Sequence, residues 1–245
     1  MEFIKHTSAN TDIYCFQEVF DSKSDIKKTR STRVNVLADL NAALPNFDLF
    51  LDNIGSGYDI EGCVDFDITE SQATFTRKNA GLKVDSHGSV FVHGVFKKMG
   101  KHETLEDIPS NFQYMNFSFE NKRFILCNLH GIVYLGHKKD TPERLRQSQM
   151  IKEFLAKEDG AKILCGDFNL LPSTKSISVL EENMRNLIAE FNIERTRSKL
   201  SPWWGKEGFQ KFADYVFVSQ DVRVMNFSVP DVDVSDHLPL VLEFS

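Results

Sequence analysis

Apolar and β-branched positions gather in short runs: 13–19 (IYCFQEV), 47–52 (FDLFLD), 72–78 (QATFTRK), 89–96 (SVFVHGVF), 112–119 (FQYMNFSF), 123–131 (RFILCNLHG), 162–169 (KILCGDFN), 213–219 (ADYVFVS), 222–229 (VRVMNFSV) and 238–244 (LPLVLEF). Such composition suits pleated, half-buried surfaces, so these runs predict strands. The runs at 112–119 and 123–131 predict a hairpin turning at Glu120-Asn121. Helical spacing is clearest over 141–158, where Thr141 serves as N-cap, Pro142 suits the first helical position, and Leu145, Met150, Ile151, Phe154 and Leu155 form an apolar stripe. Residues 33–44, ending before Pro45, and 174–184, following Pro172 and Ser173, predict further helices, as do residues 2–10 with Phe3 and Ile4 as anchors. Residues 53–71 are acidic and irregular and predict a loop or excursion. There is no repeat or Gly/Ser linker, so the pattern predicts a single mixed α/β domain over 1–245.

The polar residues fall at the ends of these strands. Glu18 ends IYCFQE; Asn128 and His130 end RFILCNLH; Asp167 and Asn169 end KILCGDFN. Residues two apart on a strand share a face. Two later runs show the reverse order, with Asp214 before YVFVS and Asp236-His237 before LPLVLEF. If the first three strands run one way and the last two the other, all these groups meet at one sheet edge, as a mixed sheet permits. Alone, each element reads as well as a turn or helix cap, GDFNLLPS included. Together they make an oxygen-rich, thiolate-free constellation suited to Mg²⁺ or Mn²⁺.

Composition adjusts this reading in two ways. Lys and Arg total 29 against 35 Asp and Glu, a formal charge of −6, which argues against a protein that coats nucleic acid but leaves room for a local basic groove. Cys15, Cys127 and Cys165 lie in apolar strand runs and Cys63 stands apart, so the cysteines predict neither a metal cage nor a disulfide scaffold. No run approaches the roughly 20 apolar residues that span a bilayer, and the start lacks a secretory layout. The expected location is cytoplasmic.

In order, FQEV, NLHG, GDFN, ADYVFVS and SDHLPL make the sequence similar to the endonuclease/exonuclease/phosphatase superfamily, over residues 13 to 245. The resemblance implies a four-layered αββα sandwich of two mixed sheets and metal-dependent phosphoester hydrolysis. It implies that Glu18 is a metal ligand and Asp236 assists at the same cation. Asp167 and Asn169 orient or deprotonate the attacking water and contact the scissile phosphate, Asp214 pairs with His237, and His130 binds a phosphate oxygen or assists the leaving group. The family normally opens with a strand ending in a metal-binding asparagine, whereas MEFIKHTSANTDIYCFQEV reads as the helix that follows it. The expectation is that Met1 is an internal start and that about ten further residues, one strand with its flanks, precede it.

Two segments flank the expected catalytic edge. IVYLGHKKDTPERLR carries His137, Lys138 and Lys139; ERTRSKLSPWWGKEGFQKF carries Arg195, Arg197 and Lys199 beside Trp203 and Trp204. Basic residues beside stacking platforms suit nucleic acid, so Asn128, Arg197, Lys199, Trp203 and Trp204 are the candidate substrate contacts and a nuclease is the favoured reading. A phosphatase or phosphodiesterase for a small or lipid-derived phosphoester is the alternative. A catalytically impaired binding module is the alternative of another class. No exposed apolar hairpin of the kind a membrane-directed enzyme needs is evident near the cleft.

Overall fold

The computed structural model describes residues 1–26, 28–29, 32–133 and 137–245. Tyr134, Leu135 and Gly136, within the first of the two flanking segments, lie outside the described residues. The strands are β1 (Ile13–Asp21), β2 (Phe47–Ser56), β3 (Tyr58–Asp59), β4 (Gly62–Cys63), β5 (Thr69–Arg77), β6 (Lys83–His93), β7 (Ser110–Phe119), β8 (Lys122–His130), β9 (Ala161–Asp167), β10 (Arg185–Asn186), β11 (Asp214–Val218), β12 (Val224–Ser228) and β13 (Val241–Phe244). The helices are α1 (Glu2–Thr7), α2 (Val36–Ala43), α3 (Pro142–Lys157), α4 (Lys175–Glu181) and α5 (Leu187–Glu190). No helix among the described residues is long and apolar enough to cross a membrane.

Six strands form one sheet in the order β10-β11-β9-β8-β7-β6, and a smaller sheet has the order β1-β5-β2. β12 pairs with β13, and β3 with β4. The pair β8–β9 is parallel and is bridged by α3, while β11 returns antiparallel to β9. The reversal required of the Asp214 strand is therefore present. Glu120 and Asn121 both have positive φ, 49° and 64°, the conformation of a two-residue hairpin turn that follows the strand twist. The expected loop at 53–71 is a correction. β2 runs on to Ser56, a small β3–β4 hairpin follows, and β5 starts at Thr69.

Apolar packing occupies the outer interfaces of the sandwich. Phe112, Ile125, Cys127, Leu129, Ile151 and Leu155 belong to the core that joins the large sheet to its helices. Val19, Leu40, Phe47 and Phe75 join the small sheet to α2. The seam between the two sheets is mixed: Ile13, Cys15 and Phe50 of the small sheet pack on the large sheet's core, and buried polar pairs join them. Gln72 Nε2 donates to the backbone and side-chain oxygens of Asn111, each at 2.7 Å, and Thr74 Oγ1 donates to Gln113 Oε1 at 2.6 Å. Gln113 Nε2 in turn donates to Phe50 O at 3.0 Å and Asp52 Oδ2 at 2.7 Å. Buried amides impose directional pairing that apolar contacts lack, so this seam fixes how the strand ends of one sheet meet those of the other.

Candidate active site

Three neighbouring strands deliver a row of polar groups. His130 on β8 lies in register with Asp167 on β9, and Asp167 in register with Asp214 on β11. Each is only 6% exposed. His237, from the segment before β13, places Nδ1 2.7 Å and 2.9 Å from the two Asp214 oxygens and Nε2 3.7 Å from Asp167 Oδ2. The segment 196–198 holds His237 there. Arg197 bridges His237 in antiparallel fashion, Leu238 N donates to Thr196 O at 2.7 Å, and Ser198 N donates to Asp236 O at 2.9 Å. Thr196 Oγ1 accepts from the backbone N–H of both Ala213 and Asp214, at 3.0 Å and 3.2 Å, tying the same segment to β11.

The other side of the row is reached by Glu18. The β1–β5 ladder shifts register between Phe16 and Val19, and Glu18 adopts φ 53°. Such a bulge re-aims one side chain out of strand alternation. Left-handed backbone at a glutamate carries strain of the kind that collects at functional sites. Its carboxylate reaches within 3.7 Å of His130 Nε2 while 47% exposed. Packing by protein, then the like charges of Glu70 and Asp236, raise the Glu18 pKa against the pull of His130. The exposure keeps that effect modest. Asn169, with φ 54°, donates its backbone N–H to Asp167 Oδ1 at 2.7 Å and its amide to Gly131 O at 3.2 Å, and accepts from Lys138 Nζ.

Electrostatics divide the groups by charge. Burial alone would lower the pKa of His130, but Glu70, then Glu18 and Asp167, outweigh it and hold it at about 9. Burial likewise opposes Asp214 and Asp167 at His237, and the carboxylates win, again at about 9. Burial pushes Asp214 up while His237 pulls it down. With both Asp214 oxygens on Nδ1, the carboxylate–imidazolium form is the one the geometry favours. Asp167 is held low: burial raises it, but Lys138, His237, His130 and Arg197 together prevail. Arg197 Nη1 lies 2.5 Å from His237 Nε2, a spacing suited to a neutral imidazole acceptor. The three carboxylates within 4 Å favour the imidazolium instead, and in that form Arg197 Nη1 must move off Nε2, since two N–H donors cannot share the 2.5 Å contact.

Not every expected residue reaches this edge. Asn128 is 1% exposed, and its amide is used in the seam, accepting from Gln17 Nε2 and donating to Phe16 O at 3.1 Å. Both ends of the amide brace β8 against β1, so Asn128 is placed in the seam rather than at the open edge. Arg197 lies inside the site on Asp236, at 2.8 Å, rather than along a loop surface. Lys199 pairs with Asp231 at 3.8 Å. Trp203 is 60% exposed beneath the Lys206 ammonium, and Trp204 lies against Phe209 and the Arg195 guanidinium. Leu200 is also exposed, so the two tryptophans expected at the surface stand in a partly apolar loop. Glu70 was missed altogether. Nearly fully buried, it forms an ion pair with His130 Nδ1 at 3.0 Å, without the alignment of a good hydrogen bond. Its signal was the period-2 polar series Glu70, Gln72, Thr74, Thr76, all buried and all facing the seam side of β5.

A sequence profile of the Endonuclease/Exonuclease/phosphatase family matches residues 1–237. The chain belongs to this family. The fold of this family member is shared by an endonuclease/exonuclease/phosphatase from Bacteroides vulgatus, 18% identical, covering 100% of this chain and 88% of that one with a TM-score of 0.68. It is shared by the mannosyl-6-phosphatase Bt3783 of Bacteroides thetaiotaomicron, at 17% identity, 100% and 89% coverage and a TM-score of 0.69. The human Nocturnin catalytic domain with bound sulfate anion is similar at 15% identity, 100% and 86% coverage and a TM-score of 0.63. No curated protein sequence matches this family member.

The raised histidines give a pH expectation. An imidazole held at about 9 when folded, against 6.5 otherwise, stabilises the fold fully below 6.5 and loses that contribution as pH rises through about 9. A shift of this size corresponds to on the order of 3 kcal/mol. In EDTA, imidazole NMR titrations of His130 and His237 are expected to show midpoints near 9, with thermal stability falling between pH 6.5 and 9. Midpoints below 7.5 for both would overturn the two-dyad description.

Proposed function

We propose that the chain hydrolyses phosphoester bonds by attack of water, assisted by a divalent cation. The observation that supports this most is the row His130–Asp167–Asp214 closed by His237, two carboxylate–imidazole pairs flanking one low-pKa carboxylate. Glu18 and Asp236 would hold Mg²⁺ or Mn²⁺. The fit is chemical: the donors are hard oxygens, and Glu18 is a half-exposed carboxylate crowded by Glu70 and Asp236, whose repulsion a cation relieves. Asp167, Asp214 and His237 also offer ligand atoms within 4.8 Å of one another, but both Asp214 oxygens are engaged with His237 Nδ1. The cation would polarise a phosphoryl oxygen and lower the pKa of water. Asp167 accepts or orients the water proton, Asn169 contacts the phosphate, and His130 and His237 donate to oxygens on which charge develops.

A nucleic-acid phosphoester is the substrate that the exposed Trp203 and Trp204, beside Arg195 and Lys206, favour. A small phosphoester is the second reading, favoured by the capture of Arg197 by Asp236 and of Lys199 by Asp231, which leaves neither to follow a backbone. With Mg²⁺ or Mn²⁺ supplied, a panel of p-nitrophenyl phosphate, bis-p-nitrophenyl phosphate, single-stranded DNA, RNA and duplex tests both. Turnover of none by the folded protein refutes the hydrolase and leaves a binding module. Trp203→Ala is expected to weaken binding of a single-stranded oligonucleotide about tenfold, the scale of one lost stacking contact. Unchanged affinity by fluorescence anisotropy would favour the small substrate.

A further inference from the structure

Lys138 is brought to the site by a deliberately braced segment. Arg144 on α3 is fully buried; its Nε and Nη2 donate to Ile132 O at 3.2 Å and 3.0 Å, and its Nη1 to His137 O at 3.2 Å and Lys139 O at 2.7 Å. Lys138 O accepts from Leu171 N at 2.9 Å, fixing the same segment to the chain beyond GDFN. The ammonium so delivered donates to Asn169 Oδ1, a neutral acceptor. Among the described residues no carboxylate oxygen lies within 4.0 Å of it. A partly buried ammonium whose side-chain acceptor is an amide, with carboxylates no nearer than 4.0 Å among the described residues, is under-compensated. Arg197 arrives from a separate segment, with Nη2 on Asp236 and Nη1 turned to the edge of the His237 ring. Lys138 and Arg197 repel one another, and both act on Asp167. Two cations therefore act on one carboxylate; Lys138 lacks an ion-pair partner within 4.0 Å among the described residues, while Arg197 shares its charge with Asp236 at 2.8 Å.

An internal phosphodiester offers two free oxygens and one negative charge. A terminal phosphate offers three oxygens and approaches two charges at neutral pH. His130 and His237 already suffice for two oxygens. We propose that Lys138 and Arg197 bind the third oxygen and second charge of a terminal phosphate, making phosphomonoesters the preferred substrate class over internal diesters. A nucleic-acid strand would then be engaged at a phosphorylated end. For catalysis this rests on the proposed hydrolase function; for binding it does not.

The test has two arms. In EDTA, calorimetry should show inorganic phosphate binding at least tenfold tighter than dimethyl phosphate. Lys138→Met should lower phosphate affinity at least tenfold and largely erase the preference, whereas Lys138→Arg, which keeps the charge, should retain it. With Mg²⁺, the kcat/KM ratio of p-nitrophenyl phosphate to bis-p-nitrophenyl phosphate should fall at least tenfold in Lys138→Met and in Arg197→Met, each checked for folding by circular dichroism. Equal losses on both esters, or phosphate binding indifferent to Lys138, would overturn the terminal-phosphate site even if hydrolysis is brisk. Lys138-dependent phosphate binding without turnover of either ester would instead support the site and refute the hydrolase.

Discussion

Asp167→Asn is expected to reduce kcat/KM by about 10³-fold or more, with the thermal transition little changed. The substitution keeps shape and removes one charge. That charge serves several partners at once: Lys138, His237, His130 and Arg197 all favour it, and together they overcome the cost of its burial. Losing a group that orients or deprotonates water removes a factor of about 10²–10⁴, and losing the anion that helps keep His237 cationic weakens charge stabilisation in the transition state. The fold should tolerate the change because an amide oxygen can still accept from Asn169 N, now 2.7 Å from Oδ1. The removal of a negative charge between cations argues for a modest stability cost, readable by circular dichroism. Steady-state rates on p-nitrophenyl esters decide the matter; a folded variant within tenfold of the parent would remove Asp167 from the reaction. His237→Ala should follow the same direction, because it strips Asp214 of its partner and the site of one imidazolium.

The parts of this site visible in the sequence were those governed by strand periodicity. His130, Asp167 and Asp214 sit at ends of apolar runs, and alternation places them on one face. What alternation does not encode is where it breaks. Glu18 faces the site only because the β1 bulge re-aims it, and nothing in IYCFQEVF announces a bulge. Gly166 has a reason visible only in three dimensions: with φ 132°, it lets β9 approach β8 so closely that a Cβ would stand 2.1 Å from Leu129 O. Asn128 obeyed the right periodicity and still served a different purpose. It faces the seam, as His130 does, but one pair further from the edge, where Gln17 and the β1 backbone meet it first. Arg197 was recognised as basic and assigned to a surface because the fold of 196–198 back onto 236–238 depends on contacts some forty residues apart. Glu70 was hidden by an acidic neighbourhood that resembled a loop.

Withdrawal of divalent metal is expected to reduce turnover to a few per cent or less, and to lower thermal stability at the same time. The reasoning starts from the carboxylates. Glu18 and Asp236 are both partly exposed, and burial together with the like charges of Glu70 and Asp236 raises the cost of ionising Glu18. His130 and Arg197 offset part of this, each from one side. A hard cation between Glu18 and Asp236 would offset the remainder, because carboxylate oxygens are the ligands Mg²⁺ and Mn²⁺ favour. A ligand present at 100 times its dissociation constant stabilises the native state by about 2.7 kcal/mol. For a domain of this length that corresponds to a Tm rise of roughly 5–10 °C. Differential scanning fluorimetry with EDTA, Mg²⁺, Mn²⁺ and Ca²⁺ reads the stability change without any substrate. Glu18→Gln should abolish the metal-dependent rise while leaving the melting temperature in EDTA equal or higher, since it relieves repulsion among the acids. If added metal stabilises the Glu18→Gln protein as much as the parent, Glu18 is not a ligand. If turnover persists in EDTA, the cation has no part in the reaction and the imidazolium pairs must carry it alone.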